Sequence, residues 1–563
     1  MYFRGLATDY EGTLAEHGIV PAETVRALRR LGASGRRLIL LTGRQLEDLQ
    51  HIFPELALFD RIVAENGGVI FDPVTGRLRT MAPPPPFTLI EMLMRRHVEP
   101  ISVGHTIVAT WVPHEAAVLE AIEELGLEFK IIFNKGAVMV MPRGIDKASG
   151  LAAALHDLRL SKINVVGVGD AENDGGFLAA CGCSSAVANA LGAVKQSCDI
   201  VLSGEHGAGV NELVERILRE DVSLAAVNRH GLLLGRTRTG DPIHLSPGRV
   251  LLVTGGSGTG KSTYTTLLTE QMAAQGAEFC IIDPEGDYDP LEASFAVGGD
   301  NALPSDADIL ALLERTGINL VLGLHGADAL RRRERIRGLL PPLVALREEI
   351  GRPHWLIIDE VHQFLPRDEC VSVPALGSAI LVTVGPEWIS GAALAQVDAV
   401  VAFGNAAGSE IKEVARERAL PPPATPPHGQ AEGLYWRADV PAEVHVLSVD
   451  APQQDHHRHR GKYAIGNVGD AHAFAFRDCF DQPIGRAVNL AEFVRLAAEV
   501  SDEVWERHLR AGDYTAWFFD VIRDEKLGYC AMAVAARTEH ASESRARITA
   551  AIRERYTIPG TIA

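Results

Sequence analysis

The sequence has no long hydrophobic run, few aromatic residues and no excess of positive charge. It contains no stretch of about 18 or more apolar residues, so we expect no membrane-spanning helix. The first ten residues, MYFRGLATDY, lead directly into a predicted strand and lack the layout of a signal peptide. Seven cysteines show no metal-ligand spacing, and an odd number of cysteines is typical of reduced thiols. These absences favour a cytoplasmic protein without a membrane anchor.

The charge balance narrows the choice of partners. The formal net charge is −19 over 563 residues. This excess of negative charge argues against a surface that coats nucleic acid, although it is compatible with a local basic channel. We therefore treat nucleic acid as the less favoured class of partner.

The length and the hydrophobic pattern predict a multidomain α/β protein. A chain of 563 residues is too long for one hydrophobic core. Short apolar runs alternate with helical patterns, which indicates parallel sheets covered by helices. After the prolines 83–86 an inserted strand–helix–strand–strand pattern begins, and the α/β pattern returns at Lys147. We predict an α/β domain in two pieces, an α+β insertion, a small β segment, a second α/β domain and a mainly helical C-terminal module: 1–80 with 145–220, 81–144, 223–249, 250–449 and 450–563.

A group of polar residues follows the predicted strands of the N-terminal domain or begins the helix after the insertion. They are Asp9, Glu11, Thr42, Lys147, Asp170 and Asp174. The carboxyl ends of parallel strands lie at one edge of a sheet, where α/β folds bind ligands. There Asp9 can attack phosphorus as a carboxylate nucleophile. Asp170 and Asp174 can hold Mg²⁺ together with Asp9, because Mg²⁺ prefers carboxylate and water oxygens. Thr42 and Lys147 can bind phosphoryl oxygens.

This ordered set of motifs resembles the haloacid dehalogenase superfamily, in its Cof-type branch with an α+β cap. The motifs are DYEGT, LTGR, Lys147 and GDAEND, with AENGG typical of that branch, and the resemblance covers residues 4–218. It implies a Rossmann-like core, a cap formed by the insertion, and Mg²⁺-dependent hydrolysis of a phosphomonoester such as a sugar phosphate. In the family, the residue two positions after the nucleophile is the general acid/base, and its backbone carbonyl helps to bind the metal. Glu11 occupies that position.

Glu11 departs from the family pattern, which has aspartate there. Glutamate keeps a carboxylic acid but adds one methylene, about 1.5 Å of reach. A misplacement of about 1 Å can lower a rate by a factor of about a hundred. We expect phosphatase turnover, and the alternative is a domain that binds phosphorylated ligands and hydrolyses them slowly.

A glycine-rich loop marks the second α/β domain. The stretch GGSGTGKS matches G-x-x-x-x-G-K-[ST] and lies between the predicted strand RVLLVT and a predicted helix. Backbone N–H groups of such a loop bind phosphates, its lysine reaches the β- and γ-phosphates, and its serine ligates Mg²⁺. We expect ATP and its Mg²⁺ to bind here. The predicted binding residues are Gly255, Gly256, Ser257, Gly258, Thr259, Gly260, Lys261, Ser262 and Thr263.

Two adjacent acids complete this second site. The apolar stretch HWLIID ends in Asp359, a partner for Mg²⁺ through water, and Glu360 follows it. Glu360 is placed to polarise an attacking water, which favours ATP hydrolysis over phosphate transfer to a substrate.

With CIIDPEGDYDPL at 280–291, these motifs resemble the HerA–FtsK class of motor ATPases over residues 225–449. The resemblance implies a homo-oligomer, typically a hexamer with ATP between subunits. The usual Gln-Arg sensor is missing, and Thr383 is the one polar candidate on the corresponding strand. Arg416 and Arg418 are candidates for a residue that reaches a neighbour's ATP.

Three functions are compatible with these motifs. The first is a bifunctional enzyme, a phosphatase fused to an ATPase that regulates or remodels it. The second is a hexameric machine that moves along nucleic acid and trims phosphorylated ends. The third is a sensor of phosphorylated ligand and nucleotide. The arginine-rich segment 331–337 discriminates between the first two, because the second needs it to line a channel.

Overall fold

The computed structural model describes residues 1–134, 136–225, 227–256, 258–288, 291–292, 294–299, 304–324, 329–369, 372–429, 431–453, 463, 472–478, 480–522, 524–537 and 540–555. The predicted multidomain α/β class is confirmed. Among these residues we find no helix that combines the length and the apolar composition needed to span a membrane.

The N-terminal domain begins with five strands that precede the insertion. They are Gly5–Asp9 (β1), Arg37–Leu41 (β2), Arg61–Ala64 (β3), Val69–Phe71 (β4) and Leu78–Thr80 (β5). The helices Ala22–Ala33 and Leu46–Ile52 connect the first three. Every residue of β1 is buried, because this strand lies in the middle of the sheet with helices on both faces.

The insertion forms a separate cap with an antiparallel sheet. Its strands are Ser102–Val103 (β6), Val108–Trp111 (β7), Phe129–Asn134 (β8) and Ala137–Pro142 (β9), in the order β6-β7-β9-β8. The helices Phe87–Arg95 and Glu115–Glu124 pack on one face of the sheet around their own apolar core. The predicted strand–helix–strand–strand pattern is present, preceded by a further helix and the short β6.

Three more strands complete the N-terminal sheet after the cap: Val165–Gly169 (β10), Cys183–Ala186 (β11) and Ile200–Val201 (β12). The order across the sheet is β12-β11-β10-β1-β2-β3-β4-β5, parallel from β12 to β3. The helices of this half are Lys147–Asp157, Gly175–Ala180, Gly192–Ser197 and His206–Glu220. The loops after β1, β2 and β10 therefore meet at one edge, between the core and the cap.

The second α/β domain is built on an eleven-stranded sheet. In chain order its strands are Leu232–Thr237 (β13), Pro242–Leu245 (β14), Val250–Gly255 (β15), Phe279–Asp283 (β16), Phe295–Gly298 (β17), Leu320–Gly323 (β18), Trp355–Ile358 (β19), Ala379–Thr383 (β20), Ala399–Phe403 (β21), Gly433–Arg437 (β22) and Val444–Ser448 (β23). Their order across the sheet is β14-β13-β23-β22-β21-β15-β20-β19-β16-β18-β17, and the seven from β21 to β17 are parallel. The helices are Lys261–Ala274, Asp306–Leu313, Ala329–Ile350, Gly391–Leu394 and Ala407–Glu417.

The segment 223–249 differs from the prediction of a small β segment of its own. It contains the short helix Val227–His230 and the strands β13 and β14. β13 pairs antiparallel with β23 and with β14, so both strands extend the edge of this eleven-stranded sheet. The pairing partner lies some 200 residues further along the chain, and the local sequence gave no sign of it.

The C-terminal module has its own aromatic core. The hairpin Phe474–Arg477 (β24) with Pro483–Ala487 (β25) packs against a set of helices. The helices are Leu490–Glu499, Asp502–Ala511, Asp513–Trp517, Phe518–Ile522, Glu525–Ala535 and Ala541–Arg555. Phe474, Phe493, Trp505 and Tyr514 pack against one another in edge-to-face and tilted arrangements, with ring centroids 4.5 to 6.3 Å apart.

The two α/β domains meet through the amino ends of their sheets. Asn164 precedes β10, and His354 precedes β19. The His354 ring accepts from the Glu278 N–H at Nδ1 (2.8 Å), so its Nε2–H donates to Asn164 Oδ1 (3.1 Å). Arg352, fully buried, donates to the carbonyl of Arg159 across the same boundary (2.9 Å). The ligand-binding carboxyl ends of the two sheets therefore point away from each other.

We predict that His354 makes stability depend on pH. Burial, aided by Arg352 and Arg347, lowers its pKa from 6.5 to about 3. The unfolded chain binds a proton near pH 6.5 and the folded chain does not, so the stabilisation is complete above pH 6.5 and is lost as the pH falls toward 3. The free energy of unfolding should fall by about 1.4 kcal/mol more in wild type than in His354→Gln for each pH unit below 6.5. Urea unfolding at a series of pH values measures this difference.

The control is His156→Gln, since the His156 side chain is 78% exposed on the helix Lys147–Asp157. This variant should keep the wild-type pH dependence. Parallel pH profiles for wild type and His354→Gln would contradict the prediction.

Candidate active sites

Three buried carboxylates meet at the carboxyl ends of β1 and β10. Asp9 ends β1, and Asp170 and Asp174 follow β10. Their ligand atoms all lie within 4.8 Å of one another, the one such group of three among the described residues. Asp170 also accepts from the Thr13 hydroxyl (3.1 Å), and Asp174 accepts from the Asp170 N–H (3.0 Å). The fold thus holds three acids in one desolvated place.

Lys147 partly neutralises this cluster. It begins the helix Lys147–Asp157, and its Nζ donates to Asp9 Oδ1 (2.5 Å) and to Asp174 Oδ1 (2.6 Å). Burial and the neighbouring Asp174 raise the pKa of Asp9 to about 8, although Lys147 acts in the opposite direction. Burial alone would lower the pKa of Lys147, but the attraction of Asp174 and Asp9 outweighs it and raises that pKa.

The same residues fit a divalent cation. Three carboxylates and one lysine leave an excess of negative charge in a buried site, and carboxylate oxygens are the ligands that Mg²⁺ prefers. Asp9, Asp170 and Asp174 would hold the ion. The carboxylate of Glu11 lies outside this group and binds Arg44, whereas a metal contact through the Glu11 backbone carbonyl stays a prediction.

A cavity of about 380 Å³ opens above the cluster, between core and cap. The core contributes Asp9, Glu11, Thr42 and Lys147 to its lining, so the four predicted catalytic residues of this domain share one space. Thr42 is buried, and its hydroxyl accepts from the Arg44 N–H (3.1 Å). The cap contributes a wall that is mostly apolar, with Ile107, Ala109, Trp111 and Met139. The cavity therefore has a polar and charged wall from the core and a mostly apolar wall from the cap.

Glu11 is engaged by a residue that the sequence prediction did not assign to the site. Arg44 Nε donates to Glu11 Oε1 (2.6 Å), and Arg44 Nη2 contacts the same oxygen. Arg44 follows Thr42 in the LTGR motif and lines the cavity. The signal was present, since an arginine beside the predicted phosphate site is a natural partner for an acid or a phosphate. To act as the predicted general acid, Glu11 would have to release Arg44.

The predicted phosphate-binding loop of the second domain lies at the carboxyl end of β15. Gly258 and Gly260 have φ angles of +79° and +99°, which side chains rarely adopt, so the loop requires glycine at both positions. Lys261 begins the helix Lys261–Ala274, and its Nζ donates to the carbonyls of Gly255 (2.8 Å) and Gly256 (3.1 Å). Ser262 and Thr263 continue the helix, and Ser257 lies outside the described residues.

The two predicted acids stand close to this lysine. Asp359 follows β19 and is buried, and Glu360 has a left-handed φ of +45°. Burial, Glu360 and Asp287 raise the pKa of Asp359 well above its usual value. Burial lowers the pKa of Lys261, and the negative charges of Glu360 and Asp359 act against that shift. The acids and Lys261 thus interact across the end of the sheet.

Two further residues of this site were not predicted. His362 Nδ1 lies 3.3 Å from both Glu360 Oε2 and Thr383 Oγ1, so Thr383 connects to the proposed base through a histidine. Glu410 is buried on the helix Ala407–Glu417, and burial raises its pKa to about 7 although the Thr254 hydroxyl acts against that shift. Helical periodicity places Glu410 on the same apolar face as Ala407 and Val414. An acid on an apolar face could have indicated from the sequence that Glu410 is buried.

The arginine-rich segment is engaged within its own domain. Arg332 donates to the Pro284 carbonyl (2.9 Å), Arg333 and Arg337 pair with Glu369, and Arg335 pairs with Asp306 (2.6 Å). Arg418 donates to the Ala395 carbonyl (2.9 Å), whereas the side chain of Arg416 is 72% exposed. Four of the arginines that a nucleic-acid channel would use already have partners in this chain.

Comparisons with known proteins match both α/β domains. Residues 6–85 and 113–214 match the haloacid dehalogenase-like hydrolases, and residues 231–322 match the central domain of the helicase HerA. The second match begins at β13, in keeping with the place of that strand in the ATPase sheet.

Individual relatives cover the N-terminal domain. A phosphoglycolate phosphatase from Methanopyrus kandleri is 30% identical over 226 residues, 38% of this chain and 96% of its own. One from Methanothermobacter thermautotrophicus is 27% identical over 227 residues, 38% of this chain and 99% of its own. A crystal structure of a haloacid dehalogenase-like hydrolase from Bacteroides thetaiotaomicron aligns at 20% identity with a TM-score of 0.35, over 38% of this chain and 99% of that chain. By its sequence relatives and its ordered motifs, the chain belongs in its N-terminal part to the haloacid dehalogenase-like hydrolases, and it carries a HerA-type ATPase segment behind them.

Proposed function

We propose that the N-terminal domain hydrolyses phosphomonoesters with Asp9 as the nucleophile. The observation that carries this proposal is the buried group of Asp9, Asp170, Asp174 and Lys147 beneath a cavity closed by the cap. A carboxylate surrounded by cations can attack phosphorus, whereas the other acids neutralise and orient the bound cation. The phosphatases among the relatives support this class of reaction.

The chemistry divides into two steps. Asp9 Oδ forms a bond to phosphorus, the bond from phosphorus to the alcohol oxygen breaks, and Glu11 delivers a proton to that oxygen. Water then attacks the aspartyl-phosphate, gives its proton to Glu11 and releases phosphate with Asp9 restored. Lys147 and Thr42 bind the phosphoryl oxygens, and Mg²⁺ would supply positive charge that offsets their negative charge.

The cavity supports an organic group larger than glycolate. Ligand pockets of about 300 Å³ and above are typical of sites for drug-sized molecules, and this cavity measures about 380 Å³. Trp111 and Ile107 offer apolar contacts, whereas Ser102, Thr110 and Gln45 offer hydrogen bonds. We therefore place a sugar phosphate first among substrates, with 2-phosphoglycolate as the comparison suggested by the relatives.

The second domain hydrolyses ATP in this proposal. Lys261 would exchange the carbonyls of Gly255 and Gly256 for the β- and γ-phosphates, Ser262 and Asp359 would hold Mg²⁺, and Glu360 would polarise the attacking water. The HerA match supports a homo-oligomer such as a hexamer, with nucleotide between subunits. Because the arginine-rich segment binds its own domain, we do not extend the proposal to nucleic acid.

Asp9→Asn should abolish phosphatase turnover and leave ATP hydrolysis within about twofold of wild type, since the amide is a poor nucleophile. The two sites lie at the carboxyl ends of two sheets whose amino ends meet at Asn164 and His354, so they share no residues. Release of phosphate from p-nitrophenyl phosphate and from ATP measures both activities. A folded variant that loses both would show that the two domains work as one unit.

Glu11→Asp should raise phosphatase kcat, by up to about a hundredfold if misplacement limits the rate. The shorter side chain weakens the contact with Arg44, and aspartate is the residue that the family pattern has at this position. Glu16→Asp is the control, because the Glu16 side chain is 62% exposed. Equal and substantial rates would mean that the loop already accommodates glutamate, and no activity in either form would favour the sensor.

Lys261→Ala should prevent ATP binding, whereas Glu360→Gln should bind ATP and fail to hydrolyse it. The first change removes the cation that faces the phosphates, and the second removes the base and keeps the shape. Fluorescent-nucleotide binding and phosphate release separate the two effects, and Lys412→Ala on the exposed face of the helix Ala407–Glu417 is the control. Hydrolysis at the wild-type rate by Glu360→Gln would exclude Glu360 as the base.

A further inference from the structure

A buried carboxylate fastens the cap to the core. Glu65 belongs to the AENGG stretch after β3 and is fully buried. Its Oε1 accepts from the His105 N–H (2.8 Å), and its Oε2 accepts from the Thr106 N–H (2.8 Å) and the Thr106 hydroxyl (2.9 Å). All three donors belong to the cap loop between β6 and β7. A buried carboxylate is costly unless its hydrogen bonds are satisfied, so this contact depends on the cap lying where it does.

The two partners are fitted closely to each other. A Cβ added to Gly104 would lie 2.5 Å from Glu65 Oε1, and one added to Gly68 would lie 1.8 Å from Thr106 Oγ1. Glycine at both positions lets the core turn and the cap loop approach each other. A second, exposed contact joins the same loop to the core, where His105 Nε2 lies 3.0 Å from Glu47 Oε1.

The core turn that carries Glu65 is also tied to the phosphate site. The N–H of Glu65 donates to the Arg44 carbonyl (2.9 Å), and the N–H of Asn66 donates to the Thr42 carbonyl (3.0 Å). The Asn66 side chain accepts from Asn173 Nδ2 (3.2 Å), in the loop between Asp170 and Asp174. One turn therefore touches the Thr42 loop, the metal-site loop and the cap.

The cap side of this contact leads into the substrate wall. Thr106 is followed by Ile107 and then by β7, which carries Trp111, and both side chains line the cavity above Asp9. We propose that Glu65 is a positioning residue that fixes the height of this apolar wall over Asp9 and so determines which organic groups the phosphatase accepts. This inference rests on the proposed phosphatase function for its kinetic consequence, although the cap contact itself does not.

Hydrogen exchange tests the contact without any substrate. In Glu65→Ala the segment 102–112 should exchange at least about tenfold faster than in wild type, since the His105 and Thr106 amides lose a charged acceptor. Glu91→Ala, on the exposed face of the cap helix Phe87–Arg95, is the matched control and should exchange as wild type does. Unchanged exchange in Glu65→Ala would overturn the proposal.

Kinetics test the selectivity. For p-nitrophenyl phosphate, whose ring can reach the cap wall, Glu65→Ala should raise KM about tenfold with kcat within about twofold. For acetyl phosphate, which is too short to reach that wall, both constants should stay at wild-type values. A general structural defect would change both substrates alike, and that result would contradict the proposal.

A milder variant tests the same contact in case Glu65→Ala does not fold. Thr106→Val removes one of the three hydrogen bonds and keeps the shape, so both effects should appear at a smaller size. If wild type hydrolyses neither p-nitrophenyl phosphate nor acetyl phosphate, the proposed phosphatase function fails, and the exchange rates of Glu65→Ala and Thr106→Val still decide whether Glu65 holds the cap.

Discussion

The hydrogen bonds at the amino ends of the two parallel sheets fix the architecture of this protein. His354, before β19, bonds both to Asn164 of the phosphatase domain and to the Glu278 N–H of its own domain. Parallel sheets bind ligands at their carboxyl ends. Joining two such sheets by their amino ends therefore places the two sites on opposite sides of the molecule. Within one chain, the Asp9 site and the Lys261 site are therefore connected through the buried junction at Asn164 and His354.

Both sites bury several acidic side chains next to a single lysine. Each holds buried acids and one buried lysine, and each lysine is bound to protein oxygens: Lys147 to Asp9 and Asp174, Lys261 to the carbonyls of Gly255 and Gly256. Burial, together with repulsion from neighbouring acids in the same site, raises the pKa values of Asp9 and of Asp359. Under the proposed function, a phosphate group would replace protein acceptors on each lysine, and a divalent cation would offset the acids that remain.

The turn at 65–68 connects three other parts of the N-terminal domain. It is short, yet its backbone holds the Thr42–Arg44 loop, its Asn66 side chain meets Asn173, and its Glu65 carboxylate holds the cap. The left-handed φ angles of Glu65 and Asn66, +53° and +51°, turn both side chains toward these partners. Such backbone strain persists only where surrounding contacts enforce it. Phosphate binding and cap position are thus set by one piece of chain.

Sequence alone determined the class of each domain and the residues that end its central strands. Asp9, Thr42 and Asp170 could be placed together at one site, and Lys261 and Asp359 at the other, because the carboxyl ends of parallel strands in one sheet share an edge, whatever the details of packing. Tertiary structure decided the rest. Glu11 meets Arg44 across 33 positions, Asn164 meets His354 across 190, and β13 joins β23 at the far end of the ATPase domain. Local periodicity carries no information about such pairs, because they form only when separately folded elements pack and their buried polar groups need partners.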